Sequence, residues 1–319
     1  PVSFELEADR MRNLMLPNEE FLKEVQVVME ERRMRTEDNP QSLTYEQFNA
    51  AAYTSSAYRI PVIGWMDDLE NMEINDLRVW YEKWYAPNNA TVVVVGDVDP
   101  KDVYKQAKKY FGPLKPSEVT PPKPRVEIKQ LGRKRIDVQA PAKLPYLMMG
   151  YKAPVVLTTD EDWEPYALEV LANVLDGGDS ARLANELVRG SEIAVSAGAG
   201  YDAFDRMEGL FLFSGTPSNG HSIETLETAL LAQVKKLQEE PVSQAELDRV
   251  KAQIRAEKVY EQDSIFYQGM QIGILETIGL DWREADKYLP GIEAITAEQV
   301  QACLLYTSPS PRDRTHHLV

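Results

Sequence analysis

Apolar residues between Asn18 and Pro40 (NEEFLKEVQVVMEERRMRTEDNP) recur with a helical period. At about 100° per residue, Phe21, Val25 and Val28 share one sector, with Met29 and Leu22 on one flank and Val27 and Met34 on the other. Two carboxylates interrupt the stripe. Glu24 and Glu31 fall within the apolar arc, seven residues apart and so about 10 Å apart along the axis. A carboxylate on a buried face costs several kcal/mol unless a cation, a metal or a set of donors compensates it. The pattern therefore asks for a positive partner. A surface reading remains open, in which the pair is bridged by arginines and Arg32, Arg33 and Arg35 serve acidic neighbours.

The same period predicts helices over Phe4 to Leu16, Leu43 to Tyr53, Asn75 to Tyr85 and Pro100 to Phe111. Tyr58 to Met66 reads as a loop, with Asp67-Asp68 a turn or cap cluster. Ala90 to Val95 (ATVVVV), stopped by Gly96-Asp97, reads as a buried strand. Lys115 to Arg125 carries four prolines in eleven residues and reads as a linker. Beyond it, Arg135 to Gln139, Tyr146 to Tyr151, Ile193 to Tyr201 and Gly209 to Gly215 are strand-like. Trp163 to Leu175, Ala181 to Val188, Ser222 to Glu239, Ser243 to Tyr260 and Ser264 to Ile278 are helical, and Ile295 opens a further capped helix. Gly177-Gly178-Asp179-Ser180 lacks the spacing of a phosphate loop and reads as a C-cap followed by an N-cap.

Glu20 to Glu31 aligns with Ala245 to Ala256 at an offset of 225 residues, and Met72 to Leu77 with Ile295 to Val300 at 223. Such near-equal offsets suggest duplicated domains. The second copy has Arg249 and Ala256 where the first has Glu24 and Glu31. The expected fold is α+β, built of two homologous domains. Residues 1–113 form the later part of the first domain, 114–130 a linker and 131–302 the second domain.

With 319 residues and 43% hydrophobic content, the chain can build about two cores. A net charge of −16 with no clustered Lys or Arg argues against nucleic-acid binding. No apolar run reaches membrane-spanning length and no leader pattern opens the chain. Pro1 to Leu6 reads as mid-domain sequence, so the beginning is expected to be missing. From Cys303 the composition shifts abruptly (CLLYTSPSPRDRTHHLV) and resembles translated sequencing-adapter sequence; 303–319 are expected to be non-native and outside the fold. What remains has no cysteine and one histidine, His221, in a loop before a helix. Disulfides, thiolate nucleophiles and cysteine zinc sites are thereby excluded.

The run LEADRMRNLML (Leu6 to Leu16), FLKEVQVVMEERRM (Phe21 to Met34), RIPVIGWMDDLE (Arg59 to Glu70), WYAPNNATVVVVGDVDP (Trp84 to Pro100), LDGGDSARL (Leu175 to Leu183) and ELDRVKAQ (Glu246 to Gln253) resembles the pitrilysin/insulinase, or M16, family of zinc metallopeptidases. The resemblance covers essentially Pro1 to Ala302 and is nearest to bacterial two-domain members. It implies a LuxS/MPP-like metallohydrolase fold, each domain an antiparallel sheet backed by helices, and a Zn2+ cofactor held by an inverted H-x-x-E-H motif, whose Glu is the general base. It implies that Glu31 is the third zinc ligand and Glu24 a supporting group that orients the site. Three protein ligands leave one coordination position for an activated water.

The resemblance also implies that peptides bind as an added strand. None of the thirty residues before Glu31 is His, so the chain as it stands is expected to lack two ligands and the base and to be inactive. An Arg and a Tyr that help relatives hold substrate correspond to Val188 and Val195. The resemblance therefore implies an M16 partner subunit supplying that pair. The alternative is a non-catalytic partner or structural subunit. Relatives suggest a bacterial periplasmic or envelope location.

Overall fold

The computed structural model describes residues 2–123 and 125–307. Its first half is helical: α1 (Val2–Asn13), α2 (Asn18–Arg32), α3 (Pro40–Ala52), α4 (Met66–Glu70), α5 (Ile74–Trp84) and α6 (Pro100–Tyr110). Local chemistry fixes several starts. The Asn39 side chain accepts from the backbone N–H groups of Gln41 and Ser42, with Pro40 at the first turn of α3. The Asp76 carboxylate accepts from the Glu73 N–H at 2.9 Å, closing the start of α5.

The second half is built on an antiparallel sheet in the order β1-β3-β2, with β1 at Leu147–Ala153, β2 at Ala194–Gly200 and β3 at Gly209–Pro217. Met149 pairs with Phe213 and Tyr151 with Phe211 across β1 and β3. Around it lie α7 (Glu164–Asp176), α8 (Ile223–Glu239), α9 (Gln244–Glu261), α10 (Ile265–Ile278), α11 (Ala285–Ala294) and α12 (Ala297–Thr307). Ser222, Ser243 and Ser264 each cap the helix that follows. Thr296 and Gln299 exchange side-chain bonds with each other's backbone N–H, a capping box at the start of α12.

Strand alternation gives the sheet two faces with different partners. Leu147, Met149, Tyr151, Ala153, Phe211 and Phe213 join the main core with α7, α8, α9 and α12. On the other face, Met148, Leu210 and Leu212 pack with Phe48, Ala52 and Tyr53 of α3 and its C-cap. The first half is thus docked on the sheet through α3. Gly150 permits the approach, since a Cβ there would stand 2.7 Å from Phe48 Cζ.

The structure departs from the sequence reading at definite places. The α-helix expected over Asn18 to Pro40 ends at Arg32 and continues as a π-helical turn, Arg33–Glu37, because Asn39-Pro40 starts a new helix directly behind it. Ala90 to Val95 is not a paired strand. No described strand lies beside it, and Val92 and Val94 are exposed, while Val93 and Val95 approach Gly273 and Gly269 of α10. Among the described residues the first half therefore has no sheet.

Arg135 to Gln139 is also unladdered: Arg135 reaches Glu224 and Glu227 on α8 instead of offering an apolar face. The helix expected over Ala181 to Val188 is instead π-helical from Ala184 to Gly190. Helices α4 and α11 went unread, the first being short and the second containing Pro290. The boundary at Cys303 is crossed by α12, whose Cys303 and Leu304 lie in the main core; 308–319 lie outside the described residues.

Candidate functional site

Helix α2 carries both carboxylates singled out above, and its environment corrects their placement. The covered sector of the helix is centred on Phe21, Arg32, Val25 and Met29, at about 0°, 20°, 40° and 80° on the helical projection; Phe21, Met29 and Arg32 are buried. Glu24 and Glu31, at about −60° and −80°, lie at the margin. Glu24 is exposed and Glu31 half-buried. The charge at the centre of the arc is Arg32.

Arg32 is neutralised where it lies. Its Nη1 and Nη2 donate to the Glu46 carboxylate at 2.7 and 2.9 Å, and Nη1 also donates to the Gly64 carbonyl at 2.9 Å. Glu37 lies 3.3 Å from its Nε, and its guanidinium carbon stands 5.9 Å from the Trp65 ring centroid. This fork joins α2, α3 and the loop before α4, and it sets the direction of the turn that carries Glu31. Glu31 itself is paired with Arg35 at 2.9 Å.

Glu31 lies at the wall of a cleft of about 1140 Å³ between the first half and the sheet. Tyr45, Tyr53 and Tyr58 line one side, and Tyr146, Tyr201 and Asp205 the other. Burial and the neighbouring Asp202 push the Asp205 carboxyl up to about 6, against the opposing effect of the Tyr58 hydroxyl that donates to it. Tyr58 also accepts the N–H groups of Arg206 and Met207 at 3.0 and 3.3 Å. Glu24 lines a different groove of about 590 Å³ with Phe21, Val25, Val28 and Leu69. The structure therefore does not bring Glu24 and Glu31 into one pocket.

The family description "Peptidase M16 inactive domain" matches residues 71–254. The chain belongs to the M16 peptidase family. It is 35% identical over 265 residues to the zinc protease PqqE of Helicobacter pylori, a match that covers 82% of this chain and 59% of that protein. The chain thus spans less than two thirds of that relative's length. The crystal structure of a protease from Helicobacter pylori superposes with a TM-score of 0.89 at 29% identity, covering 100% of this chain and 76% of that one. The periplasmic protease PqqL of Escherichia coli shares the fold with a TM-score of 0.76 at 16% identity, covering 100% of this chain and 36% of that one.

M16 membership directs attention to four positions. Glu31 faces the cleft and Glu24 does not share it. Val188 packs against the main core from the π-helical segment, whereas Val195 is exposed on β2. Among the described residues no three His, Cys, Asp or Glu side chains are grouped to hold a metal, so the side chains present do not by themselves fit a zinc ion. His221 is exposed. No described helix is long and apolar enough to cross a membrane.

The sequence reading has Arg32 serving acidic neighbours without naming Glu46, and it has no Tyr58–Asp205 contact. The first had a signal: Arg32 projects onto the centre of the apolar stripe. The second joins residues 147 positions apart and had none.

Proposed function

We propose that this polypeptide is part of a zinc-dependent metalloendopeptidase in which residues 1–113 belong to the metal-bearing domain and 131–302 to its non-metal counterpart. In this reading Glu31 supplies one zinc ligand, Glu24 supports the site, and the two histidines and the general base come from a further part of the intact protein. Extended peptides are the substrate class, and a partner M16 subunit supplies the Arg and Tyr that Val188 and Val195 replace. A periplasmic or envelope location accords with the likeness to PqqL, a periplasmic protease of Escherichia coli. The observation that carries the reading is the position of Glu31 in the cleft between the two halves of an M16 chain. No hydrolytic step is assigned to the residues described here, because they do not complete a metal site.

Zinc content measured by mass spectrometry on the intact protein tests this. One zinc per chain is expected, with loss on Glu31→Gln and no loss on Glu30→Gln, and the 319-residue polypeptide alone should neither retain zinc nor cut an extended peptide. Zinc-dependent cleavage by the 319 residues alone would overturn the assignment.

A second reading, a non-catalytic M16 partner subunit, is favoured by the description "inactive domain" of the matched region. An intact protein that lacks H-x-x-E-H and binds no zinc, yet raises the activity of an M16 partner, would establish it.

A further inference from the structure

The face of the sheet that carries the first half also holds a lysine whose surroundings suit it poorly when charged. Lys152, on β1, lies beneath the C-cap of α3, its Nζ 3.5 Å from the centroid of the Tyr53 ring. The nearest carboxylate oxygen is Glu127 Oε1 at 3.8 Å, beyond hydrogen-bond reach. The Nζ atom is buried without a hydrogen-bond partner, and the side chain is 13% exposed.

Glu127 is already occupied. It accepts the N–H groups of Thr54, Ser55 and Ser56 at 2.8, 3.0 and 2.7 Å, and Ser55 Oγ also reaches it at 3.4 Å. Ser55 Oγ in turn donates to the Val126 carbonyl and accepts from the Ile128 N–H. Three chain segments, 54–56, 126–128 and β1, therefore meet at one seam between the halves.

We propose that Lys152 is a charge-operated latch in this seam: protonated, it loosens the junction of residues 54–56, 126–128 and β1; discharged, it lets that junction close. An ammonium has three donors and keeps its charge out of water only at a cost when none finds an acceptor. A neutral amine gives up the attraction of the ammonium for the Tyr53 ring face and for Glu127 but has far less to lose on burial.

The groups that face Lys152 act unequally. Burial is the largest influence and pushes its amine down to about 8, with Glu127 and Glu208 opposing and Lys134 reinforcing the fall. Burial would raise Glu127, but the three backbone donors and Lys152 outweigh it and hold that carboxyl below its usual range. Burial raises Glu208, with Lys152 opposing. Lys134 is held by the Ala51 carbonyl and Thr54 Oγ1. When the seam opens, Lys152 regains water and the ordinary affinity of a lysine for its proton. Opening thus takes up a proton above about pH 8 and becomes less favourable as pH rises from there toward the usual lysine value.

Hydrogen exchange of the Thr54, Ser55 and Ser56 amides in the full 319-residue chain, corrected for intrinsic rates, reads the seam directly. Protection in the wild type is expected to rise about tenfold between pH 7 and pH 9. The side-chain resonances of Lys152 should titrate near 8. Lys152→Arg, which cannot discharge, should show low protection with no step, and Lys152→Met high protection with no step. A wild type without the step, or a Lys152→Met variant that keeps it, would refute the latch. If Lys152→Met failed to fold, the contrast between wild type and Lys152→Arg would still decide the matter.

Discussion

Replacing Glu46 with alanine tests whether the Arg32 fork holds the first half together. Both side chains are almost fully enclosed, with 5% of Arg32 and 6% of Glu46 exposed. The substitution removes two charge-assisted bonds at 2.7 and 2.9 Å and leaves the guanidinium with the Gly64 carbonyl and a half-exposed Glu37. Breaking a buried pair at one end typically costs about 3–5 kcal/mol, because the surviving charge remains out of water. Glu37 and Gly64 soften this, so the expected loss is about 3 kcal/mol. Denaturant unfolding followed by circular dichroism would measure it.

Arg32→Met should lose a comparable amount by stranding Glu46. The double variant Arg32→Met/Glu46→Leu should recover most of the loss, since neither charge is then buried. A Glu46→Ala loss below about 1 kcal/mol, the range of an exposed pair, would refute the reasoning. So would a double variant as unstable as the sum of the singles.

Three further outcomes follow from other parts of the molecule. Gly150→Ala would place a Cβ 2.7 Å from Phe48 Cζ and 3.2 Å from Leu212 Cδ2 and should lower stability by about 1–3 kcal/mol in thermal unfolding. The Asp205 carboxyl is raised to about 6 in the fold from an ordinary value near 3.9; its contribution is present below pH ~4 and is lost as pH rises through about 6. Asp205→Asn should flatten that part of a melting-temperature profile, and an unchanged profile would contradict the placement of Asp205. Because the described residues group no metal ligands, a chelator should leave the melting temperature of the 319-residue chain unchanged; a fall of several degrees would contradict this.

Elements whose signals are local were legible in the sequence. The serine-capped helices α8, α9 and α10 and the three paired strands lie within a residue or two of their expected ends, because caps and alternation are written in neighbouring residues. Ala90 to Val95 was misread because an apolar run specifies only what a strand would bury, while the partner strand must be supplied from elsewhere. The period of α2 was read correctly but its covered sector was not. Amphipathic width is a property of what packs on the helix, here α4 and, through the Arg32–Glu46 bonds, one side chain of α3, and that is not encoded in the helix itself. The Lys152–Glu127 seam joins β1 to a segment read only as linker. Long-range contacts of that kind have no period to reveal them.

The proline-rich linker has a consequence beyond connection. Ser117 exchanges two backbone bonds of 3.0 Å with the Asn88 side chain, and the Val126 carbonyl and Ile128 N–H are tied to Ser55. The stretch between these ties has only eight residues, 118–125, and both of its anchors belong to first-half segments. Its slack is therefore closed off before it can act between the halves. What keeps each half in the other's presence is then the eighteen-residue arm, 129–146, between Ile128 and β1, and that arm sets the effective concentration. Lengthening the proline stretch should leave that concentration nearly untouched, whereas lengthening the arm after Ile128 should dilute one half with respect to the other.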